Sequence, residues 1–367
     1  MGKSNQKSLN FRKPISARKR FAFEQLEPRL ALDAAGFLTG NDVHLTLSFA
    51  ADGTQIAGQS NQLASLFNAI APTNVWQESI LTAFQTWAVN TNADIGVVAD
   101  GGQPFGTAGP SQRDDRFGDI RIGAIAMAPN VAAVSVPVDG LVSGTWFTDV
   151  LFNTEYNYQS LDDILAIALH EAGNVFGLDD NADPNSPLFP GDPPVVRAPT
   201  ATDISLLQQL YGVRAPDVNE MIALGNNDSI ASATILGIGE TENGSSGSAP
   251  TVLYGDITTA ADLDYFKVYT PGGYHGNLTI EIRSSGISLL KPRLRVFDAT
   301  QQIVGEISGT SVSGSLVSFQ LTSVDPDEQY YFEISGADPG IQGIGGYSLA
   351  MIFDDANLVE RSKIDEV

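Results

Sequence analysis

The sequence predicts two folded parts, an α+β domain with a mixed sheet followed by an all-β antiparallel sandwich. In the N-terminal half, apolar residues recur at helical spacing in three stretches, and short strand-like runs lie between them. In the last third, the pattern changes to short runs of alternating polar and apolar residues, separated by turns rich in Gly, Ser, Asn and Asp. A chain of 367 residues is long enough for two domains with their own cores.

The composition excludes several classes of function. The formal net charge is −23, and eight of the 20 Lys and Arg residues fall within the first 29 positions, so the remaining chain is more acidic still. A body this acidic repels nucleic acid and anionic membrane surfaces, and we expect neither as a partner. The absence of cysteine excludes disulfides and cysteine-ligated zinc. No apolar run reaches the roughly 18 residues of a membrane helix, so we expect no membrane span.

Residues 1–34 form a basic, polar segment that we expect to be a disordered leader or export segment. It lacks the apolar h-region of an ordinary signal peptide. Its residues 26–32, LEPRLAL, resemble the "LEPR" N-terminal segment of some exported bacterial surface proteins. That resemblance implies an extracellular or cell-surface location. The alternative is a disordered basic tail without an export role.

The next stretch supplies the strands and first helix of the α+β domain. Residues 42–50, 94–99, 119–128 and 141–152 are typical of strands. Residues 76–91 predict an amphipathic helix whose buried face contains Trp76, Ile80, Leu81, Phe84, Trp87 and Ala88. The glycine-rich residues 101–106 predict a flexible loop rather than a phosphate site, because no helix start with Lys or Ser follows.

A second helix is predicted over residues 160–176. Ser160 is suited to the N-cap, and two aspartates, Asp162 and Asp163, place negative charge in the first turn. Gly177 is suited to ending the helix. The apolar face is formed by Leu161, Ile164, Leu165, Ala168, Ala172, Val175 and Phe176.

This helix carries residues with the spacing of a metal site. His170 and Asn174 are four residues apart and therefore share one helix face. Glu171 follows the first ligand and is suited to act as the general base on a water. Gly177 permits a sharp turn, after which Asp180 returns to the same ion. The stretch therefore predicts His170, Asn174 and Asp180 as metal ligands and Glu171 as the catalytic residue.

The pattern H-E-x-x-N-x-x-G-x-x-D resembles the metzincin zinc peptidases and, within them, the matrixins. Residues 186–190, SPLFP, occupy the position of the family's Met-turn, with Leu188 in place of methionine. Residues 199–212 resemble the family's C-terminal helix, with Thr200 and Asp203 as capping residues and an apolar stripe of Ile204, Leu207, Leu210 and Tyr211. The resemblance covers residues 40–213 and implies a metzincin-like domain with zinc as its cofactor.

Asn174 departs from the family pattern, which has a second histidine there. An amide oxygen binds zinc less well than an imidazole, and neither His44 nor His275 is placed to substitute for it. We therefore keep two hypotheses. One is a secreted zinc endopeptidase acting on a polypeptide or extracellular-matrix substrate, and the other is a catalytically inactive relative that acts as a binding or adhesion module. A third possibility is that Asp179, Asp180, Asp183 and Asp192 bind calcium.

Residues 214–226 are expected to form a linker, residues 227–354 the sandwich and residues 355–367 a polar tail. Seven strands are predicted, over residues 252–256, 264–269, 278–282, 293–297, 316–321, 329–334 and 347–353. The segment resembles the bacterial pre-peptidase C-terminal (PPC) domain at residues 227–229 (NDS), 262–268 (DLDYFKV), 294–298 (LRVFD) and 346–349 (GYSL).

The PPC resemblance implies an accessory domain of a secreted protease, and some relatives bind calcium or matrix polymers. Asp228, Asp262 and Asp264 are the candidate calcium ligands, because hard carboxylate oxygens suit that ion. The alternative is that these are acidic turn residues in solvent. The sequence does not predict an oligomeric state.

Overall fold

The computed structural model describes residues 43–109, 114–136, 149–190, 195–217, 219–220, 226–237 and 251–354. These residues all belong to one compact unit. The predicted leader, residues 1–34, and the predicted tail, residues 355–367, lie outside the described residues.

The N-terminal part contains four helices and seven strands among the described residues. The helices are α1 (Leu63–Phe67), α2 (Thr73–Ala88), α3 (Leu161–Val175) and α4 (Ala201–Tyr211). The strands are β1 (Val43–Phe49), β2 (Gln55–Ile56), β3 (Gln59–Ser60), β4 (Ala93–Val97), β5 (Ile120–Ile125), β6 (Ala133–Val136) and β7 (Asp149–Asn153).

Five of these strands form one sheet in the order β4-β1-β5-β7-β6. The first four are parallel, and β6 pairs antiparallel with β7 at the edge, so the predicted mixed sheet is confirmed. The strand predicted over residues 141–152 is described from Asp149 onward, and residues 141–148 lie outside the description. Strands β2, β3 and β6 and helix α1 were not predicted from the sequence.

Helices α2 and α3 pack against each other and share an apolar core with the sheet. All six residues of the predicted α2 stripe are at most 1 % exposed. The predicted start of α3 is also confirmed, since the Ser160 hydroxyl accepts a hydrogen bond from the backbone N–H of Asp163. Both helices that position the site therefore follow from apolar spacing and capping.

Helix α4 matches its predicted start but not its predicted buried face. Thr200 and Asp203 form a capping box, with each side chain bonded to the other's backbone N–H. Leu207 is fully buried, whereas Leu210 is 56 % exposed. The prediction that Leu210 lies in the buried stripe was wrong, because only a narrow side of this terminal helix faces the core.

The C-terminal part forms two sheets that share one apolar core, as a sandwich does. Its strands are β8 (Thr234–Ile235), β9 (Thr251–Ile257), β10 (Asp264–Tyr269), β11 (Gly276–Arg283), β12 (Pro292–Phe297), β13 (Ile303–Ser308), β14 (Leu316–Val324), β15 (Gln329–Gly336) and β16 (Gly345–Asp354). The sheet orders are β13-β12-β15-β10-β8 and β14-β11-β16-β9.

All seven strands predicted in this part are present, and β8 and β13 are additional. The pairing is antiparallel except between β8 and β10, which run parallel over two residues. The prediction of a wholly antiparallel sandwich therefore needs that correction. The domain boundaries at residues 213, 226 and 354 stay predictions.

Candidate metal centre

A cavity of about 460 Å³ lies beside the C-terminal half of α3. Three of the predicted site residues line it, namely His170, Glu171 and Asp180. The wall also contains residues at the start of β6 and from the segment after α3, including Ala132, Ala133, Pro187, Phe189, Val195 and Arg197. The cavity therefore lies between the edge of the sheet and the predicted Met-turn.

The predicted ligands His170 and Asp180 point at each other. The imidazole Nε2 of His170 lies 3.0 Å from Oδ1 of Asp180. The other ring nitrogen, Nδ1, lies 3.1 Å from the carbonyl oxygen of Pro187, which fixes the plane of the ring. Residues ten positions apart meet here because Gly177, with a φ of 90°, turns the chain back after α3.

Asn174 also faces Asp180. Its Nδ2 lies 3.5 Å from Oδ1 of Asp180, at the limit of a hydrogen bond. Its Oδ1 is buried and has no hydrogen-bond partner among the described residues. Because a buried carbonyl oxygen without a partner is costly, this atom is a candidate ligand for a cation.

The carboxylate of Glu171 is held by a residue that the sequence analysis missed. Glu171 is 6 % exposed, and its Oε2 accepts a hydrogen bond of 2.6 Å from the hydroxyl of Ser135 on β6. Burial raises the pKa of Glu171, and the Ser135 hydrogen bond and the charge of His170 oppose part of that rise. The only sequence signal for Ser135 is a polar residue within an otherwise apolar run of four.

Leu188, the residue predicted at the Met-turn position, packs against α3. It is 1 % exposed, and its Cδ2 would lie 2.6 Å from a Cβ added at Gly173 of α3. The backbone N–H of Asn181 donates to the carbonyl oxygen of Leu188 at 3.1 Å. This turn therefore supports α3 and the Asp180 segment together.

The donor set is suitable for a divalent cation and less suitable for zinc than three imidazoles are. It offers one imidazole nitrogen, one carboxylate oxygen and the unpartnered amide oxygen of Asn174. Zinc accepts histidine and aspartate readily, whereas a neutral amide is a weaker ligand for it. These residues therefore fit a metal ion with reduced affinity.

The calcium ligands predicted in the sandwich are brought together only in part. Oxygen atoms of Glu220, Asp228 and Asp262 lie within 4.8 Å of one another. Asp264 instead accepts a hydrogen bond of 2.5 Å from the hydroxyl of Tyr347, so it faces the core. Glu220, which the sequence analysis placed in the linker, takes its place in the cluster.

Buried polar atoms lie next to this acidic cluster. Asn227 is fully buried, and its amide lies beside Asp264 but makes no well-formed hydrogen bond with the described residues. Burial and the nearby charges of Asp262 and Asp217 raise the pKa of Glu220 to about 7. A cation bound there would relieve this repulsion.

The alternative calcium cluster after α3 is not formed by the residues that the structure describes. Asp179, Asp180 and Asp183 do not converge there, and Asp192 lies outside the described ranges. His44 lies on β1 and His275 before β11, neither of them in the wall of the cavity. No helix in the described part of the chain has the length and apolar character to cross a membrane.

Comparisons with known proteins give partial similarities only. No family model matches the sequence, and no curated protein matches it. Among solved structures, the pre-peptidase C-terminal domain of a collagenase from Bacillus anthracis matches with 13 % identity and a TM-score of 0.21, over 28 % of this chain and 87 % of that domain. PliG, a periplasmic inhibitor of g-type lysozyme from Aeromonas hydrophila, matches with 16 % identity and a TM-score of 0.21, over 29 % of this chain and 89 % of that protein.

The K3 adhesin domain of Lys-gingipain from Porphyromonas gingivalis matches with 10 % identity and a TM-score of 0.22, over 28 % of this chain and 74 % of that domain. At these TM-scores, none of the three similarities assigns a fold family or an activity to this chain.

Proposed function

We propose that this protein is an exported member of the metzincin peptidase lineage, with a matrixin-like N-terminal domain that hydrolyses peptide bonds when a divalent metal is bound. The observation that supports this most is that His170, Glu171 and Asp180 line one cavity, with the amide of Asn174 beside the Asp180 carboxylate. Neither the lineage nor the activity follows from the partial similarities to solved structures.

His170 and Asp180 would hold the metal, and the amide oxygen of Asn174 would be a weak third ligand. A bound zinc ion polarises a carbonyl and acidifies water in such sites. The carboxylate of Glu171 takes up the proton of the attacking water, and its raised pKa brings it closer to the working pH of a general base. The Ser135 hydroxyl orients that carboxylate.

The proposal is tested by zinc content and by cleavage of casein or gelatin. Even changes outside the direct ligands lower metal affinity about 10- to 100-fold, so an amide in place of an imidazole should weaken zinc binding at least that much. We expect Asn174→His to bind zinc more tightly and to cleave faster than the wild type. Glu171→Ala should keep the metal and lose cleavage.

Asn157→His is the matched control, since Asn157 is exposed on a turn outside the cavity. It adds a histidine without adding a ligand, and it should leave zinc binding unchanged. If Asn174→His binds no more zinc than Asn157→His does, the cavity is not arranged for a metal and the peptidase proposal fails.

A second candidate is an inactive binding or adhesion module with the same ancestry. It is favoured by the direct contact of His170 with Asp180, which gives the imidazole and the carboxylate a partner without a metal. This candidate predicts a wild-type protein without zinc and without cleavage, even in excess zinc. Cleavage that disappears in Glu171→Ala would exclude it.

For the C-terminal part, we propose a PPC-like sandwich that binds calcium at Glu220, Asp228 and Asp262. The grouping of these oxygens and the buried, poorly bonded amide of Asn227 support a cation there. We expect calcium to raise the unfolding temperature of the wild type. Asp262→Asn should abolish that shift, whereas Asp325→Asn, a change at an exposed loop, should preserve it. An equal calcium shift in both variants would refute this site.

A further inference from the structure

The two parts of the chain meet through apolar contacts with no room for extra atoms. Leu289, which precedes β12 of the sandwich, is fully buried and belongs to the core of the N-terminal part. Gly96 on β4 lies against the backbone of Gly286, and a Cβ added at Gly96 would be 2.4 Å from the carbonyl carbon of Gly286. This contact is therefore packed as tightly as a protein interior.

A buried glutamine also joins the two parts. Gln85 on α2 is 2 % exposed, and its Nε2 donates hydrogen bonds of 2.8 Å to the carbonyl oxygens of Ile341 and Ile344 in the sandwich. Both amide hydrogens are thus used. Without Gln85, these two partly buried carbonyl oxygens would lose a donor, which lowers the stability of the junction.

An arginine after α4 joins carboxylates from both sides. The guanidinium of Arg214 is 2.9 Å from Oδ1 of Asp94 on β4 and contacts Asp256 on β9. Its side chain is only 5 % exposed. The residue predicted to begin the linker is therefore fixed between the two parts, where its charge offsets that of the buried Asp94 and the half-buried Asp256.

Helix α2 connects this junction to the metal centre. Trp87, two residues after Gln85, donates a hydrogen bond of 2.9 Å from its indole N–H to the carbonyl oxygen of Leu169, next to His170. The same ring would lie 2.9 Å from a Cβ at Gly173 of α3. One side of α2 thus contacts the sandwich, and the adjacent side fixes the motif helix.

From these contacts we propose that the sandwich is a required part of the fold that holds the metal centre, and that the two parts unfold as one cooperative unit. An independent accessory domain would need only a flexible connection and would unfold separately. Here the two parts are coupled by a buried leucine, by a glutamine that donates two hydrogen bonds and by an arginine that contacts carboxylates of both parts. Loss of one core therefore removes contacts that the other core needs. The inference does not depend on metal binding or catalysis.

The test uses the full chain in EDTA, so that no metal contributes. Every tryptophan in the sequence precedes residue 214, so tryptophan fluorescence reports the N-terminal part alone. Hydrogen exchange of peptides from β12 and β15 reports the sandwich. Val296→Ala removes two methyl groups from the sandwich core, where Val296 is fully buried, and lies outside the junction contacts.

We expect Val296→Ala to lower the urea midpoint of the tryptophan signal by roughly 0.5–1 M. The urea concentration at which the β12 and β15 peptides lose half of their protection from exchange, the exchange midpoint, should fall by the same amount. Val252→Ala is the matched control, because Val252 on β9 is 50 % exposed, and it should shift neither midpoint. If Val296→Ala fails to fold, Ile280→Val offers a milder loss in the same core. A lowered exchange midpoint with an unchanged tryptophan midpoint would overturn the proposal.

Discussion

Gly173 shows how packing overrides helix propensity at a single residue. Alanine is favoured over glycine within a helix by about 1 kcal/mol. A Cβ at position 173 would, however, lie 2.6 Å from Leu188 and 2.9 Å from Trp87, both fully buried. Such overpacking costs about 1–3 kcal/mol, so we expect Gly173→Ala to destabilise the protein in urea unfolding. Leu188→Met, which conserves volume, should cost less, and a stabilised Gly173→Ala would contradict this packing.

Ser135 is a residue whose effect comes from one hydrogen bond. Ser135→Ala leaves the buried carboxylate of Glu171 without its 2.6 Å donor. Because hydrogen bonds to charged groups contribute about 1.5–3 kcal/mol, we expect a loss of that order in the free energy of unfolding at neutral pH. The control is Ser308→Ala at an exposed position of β13, which should change stability by less than about 0.5 kcal/mol. Equal losses in both variants would refute the role of this bond.

Glu220 predicts how stability changes with pH. Its pKa in the folded state is about 7, above its ordinary value of 4.5. Between these two pH values, Glu220 holds a proton in the folded state that it has released in the unfolded state. The stability that this proton confers is full below about pH 4.5 and is lost as the pH rises through 7. Calcium-free protein should therefore have a lower unfolding temperature at pH 8 than at pH 5. In Glu220→Gln this fall should be smaller, and an unchanged fall would argue against the assignment.

Among single residues, the site residues that could be predicted from the sequence are those that lie close together in the chain. His170, Glu171 and Asp180 were predicted because a helix and one glycine turn bring them together locally. Ser135 was not, because its partner is 36 residues away on the α3 helix. Asp264 was grouped with Asp262 from sequence spacing, which does not reveal that its Oδ2 accepts a hydrogen bond from Tyr347 or that Glu220 joins Asp228 and Asp262.

Helix α4 offers a paired test at the scale of an element. Leu207 is fully buried and Leu210 is 56 % exposed, although the sequence assigned both to one apolar stripe. We expect Leu207→Ala to cost about 2–5 kcal/mol in urea unfolding, as buried leucines do. Leu210→Ala should remain within about 0.5 kcal/mol of the wild type. Similar costs at both positions would show that α4 is packed differently.

The helices and strands that could be predicted from the sequence are those in which apolar residues repeat at a regular spacing. Helices α2 and α3 each bury a continuous stripe, and seven sandwich strands alternate clearly enough to be recognised. Helix α1 and strands β2, β3, β6, β8 and β13 were missed because they are short or exposed, and the strands form only by pairing with a neighbour. Tertiary pairing rather than local preference decides such strands.

Arg214 links the two parts of the molecule, so its replacement tests the stability of the whole chain. Arg214→Met would leave the buried Asp94 and the half-buried Asp256 without their cation, and breaking a buried pair costs about 3–5 kcal/mol. We expect a large fall in urea stability that is partly restored at low pH, where the carboxylates can take up protons. Arg283→Met, at an exposed position of β11, is the control. Unchanged stability in Arg214→Met would show that the charge of Arg214 is not needed to stabilise the carboxylates of Asp94 and Asp256.

The arrangement of the two parts was not predictable from local patterns. The change from helical to alternating periodicity beyond residue 214 led to the prediction of a linker over residues 214–226, and local patterns gave no sign of a buried contact there. Asp94, Arg214 and Asp256 are separated by 120 and 42 positions, and nothing in their surroundings in the sequence connects them. Only the folded chain shows that they share one buried contact.

The shared contact at Arg214 has a consequence for how such a chain can evolve. Modular secreted proteins often gain or lose accessory segments by recombination at the connecting peptide. A crossover at residue 214 in this chain would deliver a foreign sandwich without the carboxylate of Asp256 and without carbonyls placed for Gln85. The two parts should consequently be inherited together. Substitutions on one side of the junction should be accompanied by compensating changes on the other side.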